Sequence, residues 1–352
     1  MSPGARCLSF EGKVAQMYQS KSNGPLVAIL VVLAASIAFS QQPRWKDPSP
    51  HRVQFVVVEN DVQLEVLDWG GSGRSLVLLA GSGNSAHVFD DFGVKLKGLG
   101  HVYGITRRGY GASSRAESGF SAERLGDDVL GVLDSLHLAA PVLIGHSLGG
   151  QELTALASSH PSRIAGLVYM DSTADPTFDW NPYEETRKKL PAAMNPLPLR
   201  TDLRSFQAYR DWQRFNLGVA FPEAELRNTV AENPDGSMGR STTPRSVQDE
   251  IFRGMRKPDY SRVRVPVLAF FMLPRPITEQ LQRYQPKGAE EHDAIERVYA
   301  TEVAFAERAI AVLHDGVPSA RVVRLTDARH HLFLSNEADV LREIRAFLVS
   351  LH

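Results

Sequence analysis

Pro141-Val142-Leu143-Ile144-Gly145-His146-Ser147-Leu148-Gly149-Gly150 is the stretch that decides how this chain folds. Its opening residues are an apolar run of strand character, and the residues from Leu148 to Ser159 carry helical periodicity. Between the two lies Gly145-x-Ser147-x-Gly149. A chain that passes from strand to helix through one serine turns so tightly that side chains two places before and two places after it would collide, so those places need glycine. The same turn holds the serine in a strained backbone conformation and lifts its Oγ clear of the sheet. The N–H of Leu148, at the start of the helix, is expected to point toward an oxyanion formed when that oxygen attacks a carbonyl, with the helix dipole assisting.

Outward from this turn, short β-rich runs alternate with helical patterns, which predicts an α/β fold with a mostly parallel central sheet. Val53–Val58 and Val62–Trp69, joined by the turn Glu59-Asn60-Asp61, read as an opening antiparallel hairpin. Further strands are expected at Ser75–Gly81, His101–Thr106, Pro141–Gly145, Ile164–Asp171, Val265–Met272 and Ala320–Leu325. Helical patterns occupy Ser121–Leu136, Leu148–Ser159, Glu290–Leu313 and Asn336–Leu351. The middle strands are apolar almost throughout, so helices should cover both faces of the sheet. Gly70-Gly71-Ser72-Gly73 links strand to strand without opening a helix, and therefore reads as a turn and not as a dinucleotide-binding loop.

One stretch breaks the alternation. From Thr173 to about Tyr260 the chain is rich in Pro, Arg, Asn and aromatic residues, with weak helical pieces and no convincing strand. It falls after one central strand and before the next, over the carboxyl edge of the sheet where open α/β sheets bind ligands. Two readings stand, a helical lid over a site and a structural excursion. Its Phe178, Trp180, Tyr183, Phe206, Tyr209, Trp212 and Phe215 suit either an apolar pocket or packing within the insertion itself. The expected division is a leader over 1–40, a core made of 41–172 and 261–352, and the insertion over 173–260.

The composition excludes several classes of function. Among 352 residues, 39 Lys and Arg stand against 40 Asp and Glu, so no basic footprint for nucleic acid exists. A charged fraction of 22% without long like-sign runs argues against a disordered chain. Cys7 is the only cysteine, which rules out an intramolecular disulfide framework and a multi-thiolate zinc site. Near the N-terminus, Pro25–Phe39 is apolar and uncharged, follows Lys21, and leads to Ala38 and Ser40 at the small-residue places of a cleavage site before Gln41. That pattern fits a secretory signal, of conventional length if translation begins at Met17, with an uncleaved membrane anchor as the alternative. Both place the folded part outside the cytoplasm. Cys7 precedes the apolar run and is badly placed for lipid attachment.

With these elements in order, the chain from His51 to His352 resembles the α/β-hydrolase superfamily, in particular bacterial serine hydrolases of that fold. The likeness is carried by Thr106-Arg107-Arg108-Gly109-Tyr110-Gly111-Ala112-Ser113, by the Gly145–Gly150 turn, by Val168-Tyr169-Met170-Asp171-Ser172, and by the segment from His330 to Leu348. In the first of these Thr106 replaces the family's acid, and Arg108 and the glycines read as loop-shaping. The resemblance implies that Leu78-Leu79-Ala80-Gly81-Ser82-Gly83-Asn84 is the strand-end loop supplying the second oxyanion N–H, from Ser82. Ala80 stands where the family usually has histidine. Gly81, Gly83, Asn84 and His146 are then expected beside the substrate.

A serine hydroxyl is a poor nucleophile at its free pKa, and the superfamily supplies an acid and then a histidine later in the chain. The histidine should follow the last strand, where His330 and His331 both stand, and the family spacing to Glu337 selects His330. The acid's common place, after Val265–Met272, reads Leu273-Pro274-Arg275-Pro276 and holds no carboxylate. A known variation puts the acid after the strand that follows the nucleophile helix, which here is Asp171, with Glu279 and Asp293 as fallbacks and an entry cap to the insertion as the structural alternative. Asp127 and Asp128 read as solvent-facing or loop-anchoring, and His87 as a helix-surface or pocket-lining residue. The resemblance implies acyl transfer from a small, ester-like, apolar substrate, with neither cofactor nor metal. The alternatives are an acyltransferase using the same serine and a binding protein that has lost turnover. Membrane association would follow only from an uncleaved leader; nothing in the sequence bears on oligomeric state.

Overall fold

In a computed structural model, residues 45–172, 175 and 178–351 are described, so the expected leader lies outside the described residues. Eight strands form one sheet: β1 (Arg52–Glu59), β2 (Val62–Gly70), β3 (Ser75–Leu79), β4 (His101–Ile105), β5 (Val142–His146), β6 (Gly166–Met170), β9 (Val267–Leu273) and β10 (Arg321–Thr326). They lie in the order β1-β2-β4-β3-β5-β6-β9-β10. β1 pairs with β2, and β2 with β4, antiparallel, and every other pairing in this sheet is parallel.

The strand sequences explain why both faces are covered. Val77 and Leu79 of β3, Leu143 of β5, Leu167 and Tyr169 of β6, and Ala269 and Phe271 of β9 enter one core. The alternate residues Leu76, Leu78, Val142, Ile144, Val168, Met170, Leu268 and Phe270 enter the other. Successive side chains of a strand point to opposite faces, so a strand with no polar position demands cover on both sides. The first core is closed by helices α2 (Ala122–Ser135), α3 (Gly149–Ser159) and α9 (Ala289–Gly316). The second is closed by α1 (Asp90–Leu96) and α11 (Glu337–Val349). The helix α1 has no counterpart among the sequence expectations, since its DDFGVKL holds few apolar positions to reveal a period.

Between β6 and β9 lie α4 (Asn181–Arg187), α5 (Phe206–Leu217), α6 (Glu223–Thr229) and α7 (Arg245–Gly254). This stretch also holds an antiparallel pair, β7 (Val230–Glu232) with β8 (Met238–Ser241), which corrects the expectation that it has no strand. Strands of three and four residues joined by a polar turn are too short to show alternation in sequence. Phe206, Tyr209 and Trp212 pack with Leu226 and Met238 into a small core of the segment's own, and Phe215 is 89% exposed. Phe178 packs edge-on and Trp180 at a tilt against Phe305 of α9. The last stretch before α11 holds α8 (Ile277–Tyr284) after β9 and the short α10 (Leu332–Ser335) after β10. Among the described residues, no helix is long and apolar enough to cross a membrane.

Candidate active site

β5 ends at His146, and the chain reverses at Ser147 with a φ of 50°, a left-handed conformation that side-chain-bearing residues rarely adopt. Ser147 N donates to Met170 O (3.2 Å) and Gly150 N donates to Ser147 O (3.0 Å), which closes the turn into α3. The glycines are required by contact. A Cβ on Gly149 would stand 2.6 Å from Leu79 O, and one on Gly150 2.4 Å from Ser172 O. Gly81 lies directly beside Ser147, since a Cβ there would be 3.0 Å from Ser147 Cβ. The strand-end loop therefore borders Ser147, and Leu148 supplies the N-cap of α3. Ser82 is half-buried, and Gly83 takes a φ of 82° within the same loop.

Asp171 follows β6, also left-handed with a φ of 49°. Its N–H donates to Phe270 O (2.9 Å), and its Oδ1 accepts from Met272 N (3.3 Å). Its Oδ2 lies 2.7 Å from His330 Nδ1. The structure thus brings Asp171 and His330 together at the carboxyl edge that carries Ser147. Glu279 and Asp293 are elsewhere: Glu279 pairs with Arg275, and Asp293 is exposed on α9.

The neighbouring histidines are struts. His146 Nε2 donates to His330 O (3.0 Å), and burial holds His146 neutral, well below the usual imidazole range. His331 Nε2 donates to Asn84 Oδ1 (3.1 Å) and is likewise kept neutral by burial, with the His330 charge acting in the same direction. Two expectations need correction here. His146 (1% exposed) and Asn84 (3% exposed) were expected beside the substrate, yet both are buried, with His146 Nε2 and both side-chain polar atoms of Asn84 bonded within the protein. They orient the loop carrying His330 and the loop carrying Ser82. His87 is also corrected: it is neither on a helix surface nor open to a pocket but is buried among carboxylates. Burial opposes its charge, but Asp90 and Glu65 outweigh that effect and raise its pKa to about 10.

Two supports carry no mark in the sequence. Arg107 donates to Ala80 O (2.8 Å) and Gly81 O (3.3 Å) and forms a buried ion pair with Glu152 of α3, tying the strand-end loop to that helix. Arg108 beside it is clamped by Asp128 and Glu59, so it shapes the loop as expected, and Asp128 anchors that loop while Asp127 faces solvent. The second support is Glu225 of α6, which is fully buried. It accepts from Asn84 Nδ2 (2.9 Å), Ser85 N (3.2 Å) and Ser85 Oγ (2.5 Å). Burial pushes its pKa up to about 7 against the pull of those donors. An acid within a polar amphipathic helix gives no sequence signal that it will reach across the sheet edge. The same segment is fastened to α3 by a two-way bond, with Gln151 Nε2 donating to Arg256 O and Arg256 N to Gln151 Oε1, each 3.0 Å.

A mostly parallel eight-stranded sheet with a left-handed serine between its central strand and the next helix defines an α/β hydrolase. Residues 76–343 match the alpha/beta hydrolase family, and the chain belongs to it. The 2-(acetamidomethylene)succinate hydrolase of Mesorhizobium japonicum is 27% identical over 205 residues, covering 56% of this chain and 70% of that one. An esterase of Mycobacterium tuberculosis is 34% identical over 112 residues, which is 31% of this chain and 37% of that esterase. The crystal structure of E-2-(acetamidomethylene)succinate hydrolase superimposes with a TM-score of 0.61 at 19% identity, over 85% of this chain and 99% of that one. The structure of a marine microorganism esterase superimposes with a TM-score of 0.54 at 20% identity, over 81% and 98%. At those identities the likeness establishes the fold.

Proposed function

We propose that this α/β-fold hydrolase is a serine esterase in which Ser147, His330 and Asp171 form the catalytic triad. The reading rests chiefly on the 2.7 Å bond between His330 Nδ1 and Asp171 Oδ2, beside the strained turn at Ser147. Asp171 accepts from Nδ1–H, so the lone pair of His330 lies on Nε2, the nitrogen that takes the Ser147 proton. Ser147 Oγ then adds to the substrate carbonyl, and the N–H groups of Leu148 and Ser82 receive the oxyanion. His330 returns its proton to the leaving alcohol as the tetrahedral intermediate collapses to an acyl-enzyme. Water, deprotonated by the same imidazole, cleaves the acyl-enzyme and restores Ser147. An ester needs least help with its leaving group, which favours it over an amide or a carbon–carbon bond.

The segment between β6 and β9 serves in this reading as the lid, because its Glu225 and Arg256 reach the oxyanion loop and α3. The apolar run Pro25–Phe39 supports export from the cytoplasm. The test compares wild type with Ser147→Ala for labelling by a serine-directed fluorophosphonate and for hydrolysis of a chain-length series of p-nitrophenyl esters. Loss of both in the variant supports the reading. Well-folded wild type that is neither labelled nor active refutes it.

A further inference from the structure

The N-terminal segment meets the turn that follows Asn84. Asp47 and His51 come from that segment, His87 from the short turn before α1, and Asp90 is the first residue of α1. One donor atom from each of the four lies within 4.8 Å of the others. Three of the side chains are almost wholly buried, with exposures of 3% for His51, 4% for His87 and 2% for Asp90, while that of Asp47 is 25%. Asp90 turns one oxygen to each imidazole, Oδ1 to His51 Nδ1 at 2.9 Å and Oδ2 to His87 Nδ1 at 3.0 Å. Asp47 Oδ2 lies 3.4 Å from His87 Nδ1 and 3.6 Å from His51 Nε2.

Two of these atoms meet as an ion pair without an aligned hydrogen bond. His51 Nδ1 and Asp90 Oδ1 face each other but out of hydrogen-bonding alignment, and neither has another hydrogen-bond partner. Buried polar atoms in that state cost free energy, and a ligand between them removes the cost. Charge points the same way: Asp47, Asp90 and Glu65 place three carboxylates around two imidazoles in a largely dry site.

We infer that Asp47, His51, His87 and Asp90 form a binding site for a zinc-like divalent transition-metal ion. Two imidazoles and two carboxylates suit zinc, whereas magnesium and calcium favour all-oxygen sets. Tetrahedral zinc with bonds of about 2.0 Å sets its donors about 3.3 Å apart, and one donor atom from each of the four side chains already lies within 4.8 Å of the others, so small side-chain shifts close the set. A carboxylate also stands behind His87 at ion-pair distance. His87 Nε2 faces Glu65 Oε1 at 3.5 Å, and Glu65 Oε2 accepts from Thr106 Oγ1 at 2.8 Å. A carboxylate behind a ligating imidazole fixes its tautomer and leaves Nδ1 free for the metal. The ion would balance the charge of the two aspartates. It would also pin Trp45–Arg52 to the base of the oxyanion loop, where His87 N donates to Ser85 Oγ (3.3 Å).

The test strips the full chain with chelator and titrates it with zinc chloride by calorimetry, with magnesium and calcium chlorides for comparison. Amide exchange over Trp45–Arg52 and the melting temperature are followed in parallel. One equivalent of zinc is expected, with slower exchange in that segment and a higher melting temperature. His51→Gln and Asp47→Asn should each weaken binding at least about tenfold. Asp47 is partly exposed and Asn keeps its shape, so that variant reports on binding even where His51→Gln unfolds. His292→Ala, in a second donor group His292, Asp293 and Glu296 on the surface, should leave it unchanged. Absence of zinc binding to wild type, binding that survives both variants, or binding lost in His292→Ala would each overturn the inference and leave a metal-free ion-pair network.

Discussion

Asp171 and His330 are separated by 159 positions in sequence and joined by a bond of 2.7 Å. The carboxylate owes its position to the backbone: a left-handed residue after β6, bonded to Phe270 O through its N–H and to Met272 N through Oδ1. It is thus held by the very strand, β9, whose own end lacks an acid. Asp171→Asn should lower kcat by about 10⁴-fold with little change in KM, because the amide favours the wrong imidazole tautomer. Glu279→Gln, altering a surface partner of Arg275, should stay within about twofold. Steady-state kinetics of the two variants on one ester decides between the two acids, and the reverse ranking removes Asp171 from the triad.

The two adjacent histidines have separable roles. His330 bonds Asp171 and is 47% exposed on its side chain, whereas His331 is held neutral by burial and bonds Asn84. His330→Ala should abolish turnover by about 10³-fold or more. His331→Ala should cost far less, about tenfold, through a loosened Gly81–Asn84 loop. Equal losses in both, measured as kcat with folding checked by circular dichroism, would argue against this division.

Backbone contact, not conformational freedom, fixes the last glycine of the turn. A Cβ on Gly150 would lie 2.4 Å from Ser172 O and 2.5 Å from Ser172 Cβ. Gly150→Ala should therefore destabilise the fold by roughly 3 kcal/mol, as overpacking against backbone does. Urea unfolding measures it, and a midpoint close to wild type would mean that the turn adjusts at little cost.

Glu225 links pH to stability. Its folded pKa of about 7 lies above the ordinary 4.5, mainly because of burial. The folded state therefore binds this proton more tightly than the unfolded chain does. The stability it contributes is present below about pH 4.5 and is lost as pH rises through 7, a change of about 3 kcal/mol. Glu225→Gln should remove this slope, so that the variant gains on wild type by about that amount between pH 5 and pH 8. Since the amide also presents a donor to Asn84, kcat should fall about tenfold. A wild-type-minus-variant stability difference that is flat with pH would contradict the titration of Glu225.

The main elements of the sheet, its two covered faces and the turn at Ser147 were legible in the sequence because each is a local pattern. Apolar runs of strand length, a helical period and glycines at fixed spacing act over a few residues. His330 and Asp171 were legible as candidates for a weaker reason, a resemblance in chain order, and the residues by themselves left His331, Glu279 and Asp293 beside them. Only the tertiary structure decided which of these meet, because a strand end becomes adjacent to a loop only once the sheet has assembled. The same holds for Glu225 on Asn84 and Ser85, Arg107 on Ala80 and Glu152, and Asp47 and His51 beside His87 and Asp90. Buried polar groups find partners across the fold, and such contacts have no period for a sequence to display.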